Sequence, residues 1–532
     1  MTLQYSLLNE PLIRANLVDG GQTARYTLPG LFIALARDEV YDFPALRPHQ
    51  RHPWHAFLVQ LAAIALHHAK RGQPFATERE WEDALLALTP EHPDRAAWCL
   101  IAPYDKPAFM QPPVPGGSID SWSNDKPTPD SMDILVTSKN HDLKQERIHK
   151  ANPDDWIFSL VSLQTQAPYP GSGNFGVARM NGGSSSRPGL GIEPPGYMGS
   201  RWQRDLKIAV EERAEILNMG FKEEAGIALL WLVPWDGEEA FSFSELDPFF
   251  IEICRRVRLI NSSSGIVAIR TTSKGPRILK DEAKARKGNT GDLWTPVHIS
   301  EAKSFSVTNS GFDYEQMVKL AFGTEYRKAP AQNIRTDDST IGLMLVARAI
   351  AGGQSTTEGY HERRIPISPK MKSMLCQQQT DQLAKIADER VSAIGKICDV
   401  LKSSIKTLLD NAKPKNESSK IETKASKITK QFEQAFEQAE DARFFDDLNA
   451  EIEADDPDTI RLQWLLALVD RAESILKNAF VAGPQSGEQR YRARSAALSR
   501  FHGILRTEKT LPTLANYYRQ STENKEIADE PT

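Results

Sequence analysis

A glycine-rich stretch, QTQAPYPGSGNFGVARMNGG, spans residues 164–183 and contains the pattern G-x-G-x-x-G from Gly171 to Gly176. In dinucleotide-binding folds this pattern cradles a pyrophosphate, provided that a buried strand enters it and a helix leaves it. Here Pro168 and Pro170 precede the glycines, and proline does not belong at the end of a central parallel strand. A nicotinamide- or flavin-dependent oxidoreductase that uses this loop, with Glu193 as the expected acid, is therefore an alternative hypothesis rather than the favoured one.

The same stretch suits contact with a polymer. Nine of the 32 glycines lie between residues 171 and 199. Without side chains the main chain can approach another molecule closely, and its N–H groups can donate hydrogen bonds to phosphates or base edges. A surface loop that binds nothing is the alternative.

Two further polar segments have compositions that suit nucleic acid. RTTSKGPRILKDEAKARKG, residues 270–288, carries seven Lys or Arg residues against two acids and would attract a phosphate backbone. AGGQSTTEGYHERR, residues 351–364, predicts a hairpin that projects Gln354 outward. An ordinary solvated loop or surface turn is the alternative for each segment.

Motifs of common catalytic sites are missing from the sequence. It contains no H-E-x-x-H, G-x-S-x-G, G-x-x-x-x-G-K-[ST] or EF-hand pattern. The histidine pairs 52/55 and 67/68 flank one apolar helix and lack further ligands, so we interpret them as helix-end residues rather than a metal site. The four cysteines lie far apart, which argues against disulfides and zinc. We expect no catalytic residue, metal or cofactor.

Composition limits the class of protein. The chain has 532 residues, 40% of them hydrophobic, and a formal net charge of −5, which does not by itself indicate a nucleic-acid binder. Its longest apolar run, residues 57–66, is far shorter than the roughly 20 residues that span a bilayer. The first residues lack the pattern of a signal peptide, so we expect a cytoplasmic protein without membrane contact.

Two regimes divide the chain. Residues 1–370 mix strand-like and helical segments with long Pro- and Gly-rich loops, which predicts an α+β domain. Strands are expected at residues 226–235, 249–260 and 265–272. Residues 371–532 show apolar steps of three and four, which predict a four-helix bundle. One predicted seam runs from Ala387 to Leu408 and a second from Ile421 to Ala442 through Ala435 and Ala439. An intermolecular coiled coil is the alternative.

Four stretches together resemble one family: residues 26–66, MDILVTSKNHDLK at residues 132–144, the glycine-rich stretch, and GGQSTTEGYHERR at residues 352–364. The chain resembles the CasA family, the large subunit of Cascade, which is the type I-E CRISPR surveillance complex. The resemblance covers most of the chain, including an α+β domain followed by a four-helix bundle. It implies a non-catalytic antiviral defence subunit that recognises the protospacer-adjacent motif (PAM) of double-stranded DNA from the minor groove and starts R-loop formation.

The resemblance also implies site residues. It assigns the PAM glycine loop, the minor-groove lysine, the wedge that separates the strands, and the loop that contacts neighbouring subunits and the guide handle. The PAM glycine loop is Gly171, Ser172, Gly173 and Asn174, and the minor-groove lysine is Lys280, with Lys284 as the alternative. The wedge is Gln354, with Ser355, Thr356 and Thr357 as alternatives. The loop that contacts subunits and the guide handle contains Lys139, Asn140 and His141. Arginines of the last predicted helix, including Arg490 and Arg494, would hold the displaced strand.

The implied partners are the backbone, small and handle-binding Cascade subunits, CRISPR RNA, double-stranded target DNA and a helicase-nuclease. Some relatives hold zinc through a cysteine cluster, whereas only Cys254 lies in the corresponding region here, so zinc is not expected. A structural scaffold whose loops bind nothing is a further alternative.

Overall fold

The computed structural model describes residues 2–19, 21–136, 148, 150–183, 186–263, 265–353, 356–377, 379–410 and 420–528. Contacts divide the chain into two compact units. The first comprises Met1–Phe312 and Thr324–Ile365, and the second comprises Asp313–Gly323 and Pro366–Thr532. The second unit therefore takes one short segment from within the sequence of the first.

Six α-helices of the first unit are described. They are α1 (Leu28–Ala36), α2 (Arg51–His68), α3 (Glu78–Ala87), α4 (Pro153–Gln166), α5 (Met198–Leu217) and α6 (Lys280–Arg286). Local sequence explains several of their ends. The Thr77 hydroxyl caps α3 by accepting a hydrogen bond from the Glu80 N–H, and the Glu80 carboxylate accepts one from the Thr77 N–H. Pro153 occupies the first position of α4, where its missing N–H costs nothing.

The described residues include sixteen strands in small sheets, all of them short except the last two. They are β1 (Gln4–Ser6), β2 (Ile13–Leu17), β3 (Thr23–Tyr26), β4 (Val40–Asp42), β5 (Cys99–Ile101), β6 (Asn124–Lys126), β7 (Gly189–Glu193), β8 (Ile227–Leu229), β9 (Leu246–Ile251), β10 (Arg256–Ser262), β11 (Gly265–Thr271), β12 (Val297–His298), β13 (Lys303–Ser304), β14 (Tyr326–Arg327), β15 (Leu343–Gly353) and β16 (Thr356–Ile367). The sheet orders are β1-β5, β10-β11-β6, β13-β12-β14, β16-β15-β7, β3-β2-β4 and β8-β9. The β8-β9 pair is parallel.

The three strand predictions are confirmed with different boundaries. The first predicted strand forms only β8, followed by a single 3-10 turn at Leu230–Leu232. The second predicted strand is two strands, β9 and β10, because residues 252–255 interrupt the strand conformation. There the side-chain oxygen of Gln164 accepts hydrogen bonds from the N–H groups of Cys254 and Arg255, at 3.0 and 2.8 Å, in place of a strand partner. The third strand is β11.

The core of the first unit surrounds α2, in which every residue from His52 to Leu66 is buried. His52 and His55 are therefore interior side chains near the start of the helix, while His67 and His68 lie exposed at its other end. His55 Nε2 lies 2.8 Å from Asp205 Oδ2 on α5. Burial and nearby arginines lower the pKa of His52 well below the usual value. These contacts give His52 and His55 a structural role in the core.

The second unit is helical, so an α+β region followed by an all-α bundle is confirmed. Its helices are α7 (Tyr314–Ala321), α8 (Pro369–Cys376), α9 (Thr380–Asp410), α10 (Lys420–Asp441), α11 (Phe444–Glu453), α12 (Pro457–Asn478), α13 (Gly487–Leu505) and α14 (Pro512–Ala528). The four longest are α9, α10, α12 and α13. At the start of α12 the Asp456 carboxylate caps the helix by accepting from the Thr459 N–H. The sequence analysis missed the separate helices α7, α8, α11 and α14.

The predicted seam of α9 is confirmed, since Ala387, Ile394, Cys398, Leu401, Ile405 and Leu408 are buried. The predicted seam of α10 is wrong in its C-terminal half. Ala435, Ala439 and Ala442 are exposed, and the buried residues are Thr429, Phe436 and Glu440. Glu440 is buried because its carboxylate forms a bidentate ion pair with Arg471 of α12, at 2.6 and 2.7 Å. A charged residue thus occupies the inward face that small apolar residues were expected to fill.

In the part of the chain that the structure describes, no helix is long and apolar enough to cross a membrane.

Candidate nucleic-acid interface

The glycine loop, residues 171–174, is a tight turn on the surface of the first unit. The Asn174 N–H donates to the Gly171 carbonyl at 3.1 Å, which closes the turn. Gly173 has a φ of +76°, a conformation that favours glycine. Ser172 is exposed, and the other three residues are half-buried. Apart from its two chain neighbours, no described residue has an atom within 4 Å of a Cβ on Gly171, so this side of the turn is open with respect to the described part of the chain.

One arginine holds both ends of this turn. Arg255, in the break between β9 and β10, donates from Nη2 to the Pro168 carbonyl at 2.7 Å and from Nη1 to the Phe175 carbonyl. Tyr169 and Phe175 also lie with their ring centroids 6.0 Å apart. The base of the turn is therefore fixed by side chains although no sheet or helix contains it.

The turn docks against the end of β11. The Gly173 carbonyl accepts a hydrogen bond from the Ser273 N–H at 3.0 Å, and Asn174 Oδ1 accepts one from Arg270 Nη2 at 3.3 Å. A Cβ on Gly173 would lie only 2.6 Å from the Cβ of Thr272. The glycine loop thus joins the start of the basic segment, residues 270–288, and only a residue without a side chain fits at position 173.

The loop lacks the geometry that a dinucleotide-binding turn requires. It follows helix α4 rather than a strand, and the described residues after it, through residue 183, contain only a short 3-10 turn at Asn181–Gly183. Glu193, the acid of that hypothesis, instead forms ion pairs with three arginines, Arg201, Arg348 and Arg364, at 3.1, 2.6 and 2.7 Å. The pattern in the sequence is therefore not part of a strand-turn-helix unit.

The basic segment divides into structural and exposed charges. Arg277 is buried, lies over the ring of Phe241 at 4.4 Å, and donates to the Val233 carbonyl at 2.9 Å. Burial lowers its pKa to about 10, which still leaves it charged at neutral pH. Arg286 stacks on Phe243 at 4.2 Å and donates to the Met219 carbonyl. These two arginines stabilise the fold, so fewer than seven charges are available to a ligand.

Lys280 and Lys284 are exposed on helix α6. They are four residues apart and so lie on one face of that helix. Helix α6 packs near the turn Asn181–Gly183, and a Cβ on Gly288 would lie 2.8 Å from the Asn181 main-chain nitrogen. The basic segment therefore contacts the glycine-rich stretch at two points, near Thr272 and near Gly288. The glycine loop thus lies against the start of the basic segment, and the helix that carries the two lysines lies against the end of the glycine-rich stretch.

The predicted hairpin contains the long strands β15 and β16, which neighbour each other in one sheet. Gln354 and Ser355 lie between the strands and outside the described residues, while Thr356 and Thr357 begin β16. Arg348 anchors the hairpin, since it contacts Glu193 on β7 at 2.6 Å and Glu362 on β16 at 3.2 Å. Burial alone would raise the pKa of Glu193, but the neighbouring arginines outweigh it and lower the pKa to about 2.

The other predicted site residues are placed as follows. Lys139, Asn140 and His141 lie outside the described residues. Arg490 and Arg494 lie on α13, half-buried, with their guanidinium groups 5.4 Å from the Tyr491 ring and 5.1 Å from the Phe480 ring. Helix α13 is followed by α14, so it is not the last helix of the chain.

The sequence analysis missed Arg255 and Thr272, which position the glycine loop. The only indication of Arg255 in the sequence is the pair of adjacent arginines, 255 and 256, within an otherwise apolar run. Nothing in the sequence marks Thr272, since its contact with Gly173 spans about a hundred residues of chain.

Comparisons with known proteins show which fold this is. No family model matches the chain, and no curated protein matches it by sequence. Among solved structures, a CRISPR-associated protein Cse1 from Acidimicrobium ferrooxidans is similar with a TM-score of 0.63 and 14% identity, over 98% of this chain and 99% of that one. Cse1 from Thermobifida fusca gives 0.61 and 13%, over 96% and 98%. CasA from Thermus thermophilus gives 0.59 and 15%, over 94% and 99%. This chain therefore has the fold of the Cse1 (CasA) proteins.

Proposed function

We propose that this protein is the non-catalytic large subunit of a type I-E Cascade complex. In this proposal it recognises the PAM of double-stranded DNA from the minor groove, wedges the duplex open and helps recruit a helicase-nuclease. Its partners would be the other Cascade subunits, CRISPR RNA and target DNA. The likeness to Cse1 and CasA structures, which extends over nearly the whole of each chain, supports the assignment to this complex.

One observation carries the DNA-reading part of the proposal. The glycine loop lies on the surface, has an open side at Gly171, and is fixed by Arg255 and by residues 270–273, the start of a basic segment whose helix α6 carries two exposed lysines. A fixed main chain without bulky side chains suits close contact with a narrow groove, and the lysines suit the adjacent phosphates. The minor groove distinguishes A·T from T·A poorly, so we expect several related PAM sequences to be accepted.

The hairpin of β15 and β16 is the basis for the proposed wedge. Insertion of side chains between base pairs costs a few kcal/mol of stacking for each step. The guide then forms a heteroduplex of nearly the same stability as the DNA duplex that it replaces, so opening needs no nucleotide hydrolysis. Strands β15 and β16, anchored by Arg348, would give the residues between them a rigid base.

The cytoplasm is the proposed place of action. All four cysteines are free thiols, as is usual for proteins of a reducing compartment.

The test uses the complex assembled with its guide RNA and short duplexes that differ only in the three base pairs beside the target. Specific binding is measured by gel shift, and strand opening by the fluorescence of 2-aminopurine placed next to the PAM. We expect Gly173→Val to abolish PAM-dependent binding and Gln354→Ala to slow opening while binding is retained. If both variants assemble, bind and open DNA like the unmodified complex, the subunit is a scaffold and the proposal is wrong.

A further inference from the structure

A polar cavity lies in the first unit, lined by none of the residues of the glycine loop. Its volume is about 430 Å³, within the range of sites that hold one small molecule. It lies between the end of β7, the start of α5 and the strand β15. Residues Pro194–Met198 form one wall.

Positive charge prevails in this cavity. The charged residues that line it are Asp42, Arg51, Glu193, Arg201, Arg348 and Arg364, four arginines against two acids. Glu193 is shared among three of the arginines, and Asp42 accepts a hydrogen bond from Asn16. Arg51 is exposed and forms no ion pair with any described residue. An anionic group could therefore bind Arg51 without displacing an ion pair of the described residues, while Arg364 would be shared with Glu193.

Two exposed tyrosines lie at the same cavity. Tyr41 and Tyr197 are 57% and 43% exposed, and their ring centroids are 6.0 Å apart with an angle of 61° between the planes. A planar ring can stack on an exposed aromatic side chain at little cost in free energy. Stacking of bases on aromatic residues is a common feature of single-strand recognition.

The start of α5 also lies at this cavity, with N–H groups bonded to the Asp38 carboxylate. Met198 is the first residue of this 20-residue helix and lines the cavity. The N-terminus of a helix carries a partial positive charge that favours anions. Asp38 fixes the approach to the helix, because its carboxylate accepts hydrogen bonds from the N–H groups of Tyr197 and Ser200 at 3.0 and 2.8 Å.

We propose that this cavity binds one nucleotide of a single strand, with its phosphate near Arg51 and Arg364 and its base on Tyr41. Guanidinium groups bind phosphate, and the tyrosines bind a base, so both chemical parts of a nucleotide have a complement in one cavity. A free phosphate would use only the arginines. A peptide with acidic side chains would gain less from the tyrosines. The proposal is independent of DNA reading by the glycine loop.

The test measures binding of fluorescein-labelled oligouridine and oligothymidine decamers to the full chain by anisotropy over a range of salt concentrations. We expect Tyr41→Ala to weaken binding roughly five- to a hundredfold, as for loss of one stacked base. Tyr41→Phe should keep the affinity within about a factor of two, since the ring remains. Arg51→Gln should reduce the slope of log K against log salt by about 0.7, one phosphate contact on a single strand.

Matched controls separate this site from others. Arg79→Gln, at an arginine whose side chain is 91% exposed on α3, should leave both affinity and slope unchanged. A stronger effect with the RNA or with the DNA decamer identifies which strand the cavity takes. Equal binding by the unmodified chain, Arg51→Gln and Tyr41→Ala would overturn the proposal, as would displacement of the decamers by oligoglutamate without any effect of Tyr41→Ala.

Discussion

Gly173 and Thr272 are in such close contact that a Cβ on the glycine would lie 2.6 Å from the Cβ of the threonine. Gly173 also has a φ of +76° and accepts a hydrogen bond from the Ser273 N–H. Any side chain at position 173 must therefore move the turn or the end of β11. The turn conformation and the shape of this surface depend on one glycine.

From this contact we predict the effect of Gly173→Ala on binding of a PAM-containing duplex by the assembled complex. The methyl group clashes with Thr272. In addition, the left-handed backbone conformation at position 173 costs an alanine about 1–2 kcal/mol. We expect affinity for the duplex to fall at least tenfold in a gel-shift titration. Adding Thr272→Gly removes the clash but not the conformational cost, so it should restore part of the affinity.

The control for this prediction is Ser172→Ala, at an exposed side chain of the same turn. It should bind the duplex like the unmodified complex. If Gly173→Ala also binds normally, the main chain at this turn does not contact DNA.

Exposed lysines of the basic segment should contribute charge rather than sequence selectivity. We predict that Lys280→Gln and Lys284→Gln weaken duplex binding about equally for all PAM variants. If each lysine contacts one phosphate, its loss should reduce the slope of log K against log salt by about 0.9.

Lys274 provides the matched control in the same segment, because it is already paired with Glu238. Lys274→Gln should change the salt slope little. A loss of slope that is equal for Lys274→Gln and Lys280→Gln would show only a general charge effect, and a change in PAM preference for Lys280→Gln would show direct reading of base edges.

The sequence predicted those features that depend on local pattern. Glycines and prolines indicated the turn at residues 171–174, and apolar periodicity indicated the inward face of α9. Both signals lie within a few residues of chain. The α+β region and the helical bundle could be predicted for the same reason.

Features that depend on distant contacts could not be predicted. Arg277 belongs to a segment that looked uniformly basic, yet it is buried against Phe241 and main-chain carbonyls of residues 233 and 234. Glu440 is outside the predicted apolar seam of α10, yet it is buried by pairing with Arg471, which lies 31 residues further along the chain. A charged side chain is buried only where a partner contacts it in the folded chain. The sequence pattern does not show which distant residues come into contact.

The buried histidine His52 should make stability depend on pH. Its pKa is well below 6.5 in the folded state because burial and the charges of Arg201 and Arg187 disfavour the protonated form. The unfolded chain binds a proton near pH 6.5, so this group contributes stability above that pH and the contribution is lost as pH falls. In the unfolded state of His52→Gln this proton is not taken up.

We therefore predict that His52→Gln is less stable than the unmodified protein at pH 8, and that the difference shrinks by about 1.4 kcal/mol for each pH unit below 6.5. Urea unfolding followed by tryptophan fluorescence at pH 8, 6.5 and 5.5 measures it. A difference that stays constant over this range would mean that His52 does not stay neutral in the fold.

The buried ion pair between Arg390 and Glu451 should stabilise the helical unit. Arg390 Nε lies 2.7 Å from Glu451 Oε2, both side chains are almost fully buried, and the guanidinium group lies 4.2 Å from the Trp464 ring. Removing Arg390 leaves the buried Glu451 carboxylate with only a longer contact among the described residues, to Arg461 at 3.8 Å, so Arg390→Met should lower the free energy of unfolding by up to about 3–5 kcal/mol. The double variant Arg390→Met with Glu451→Leu should recover most of that loss, because no charge remains buried. Hydrogen exchange in α9 and α11 measures both, and equal destabilisation of the single and double variants would show that packing rather than charge pairing holds these helices together.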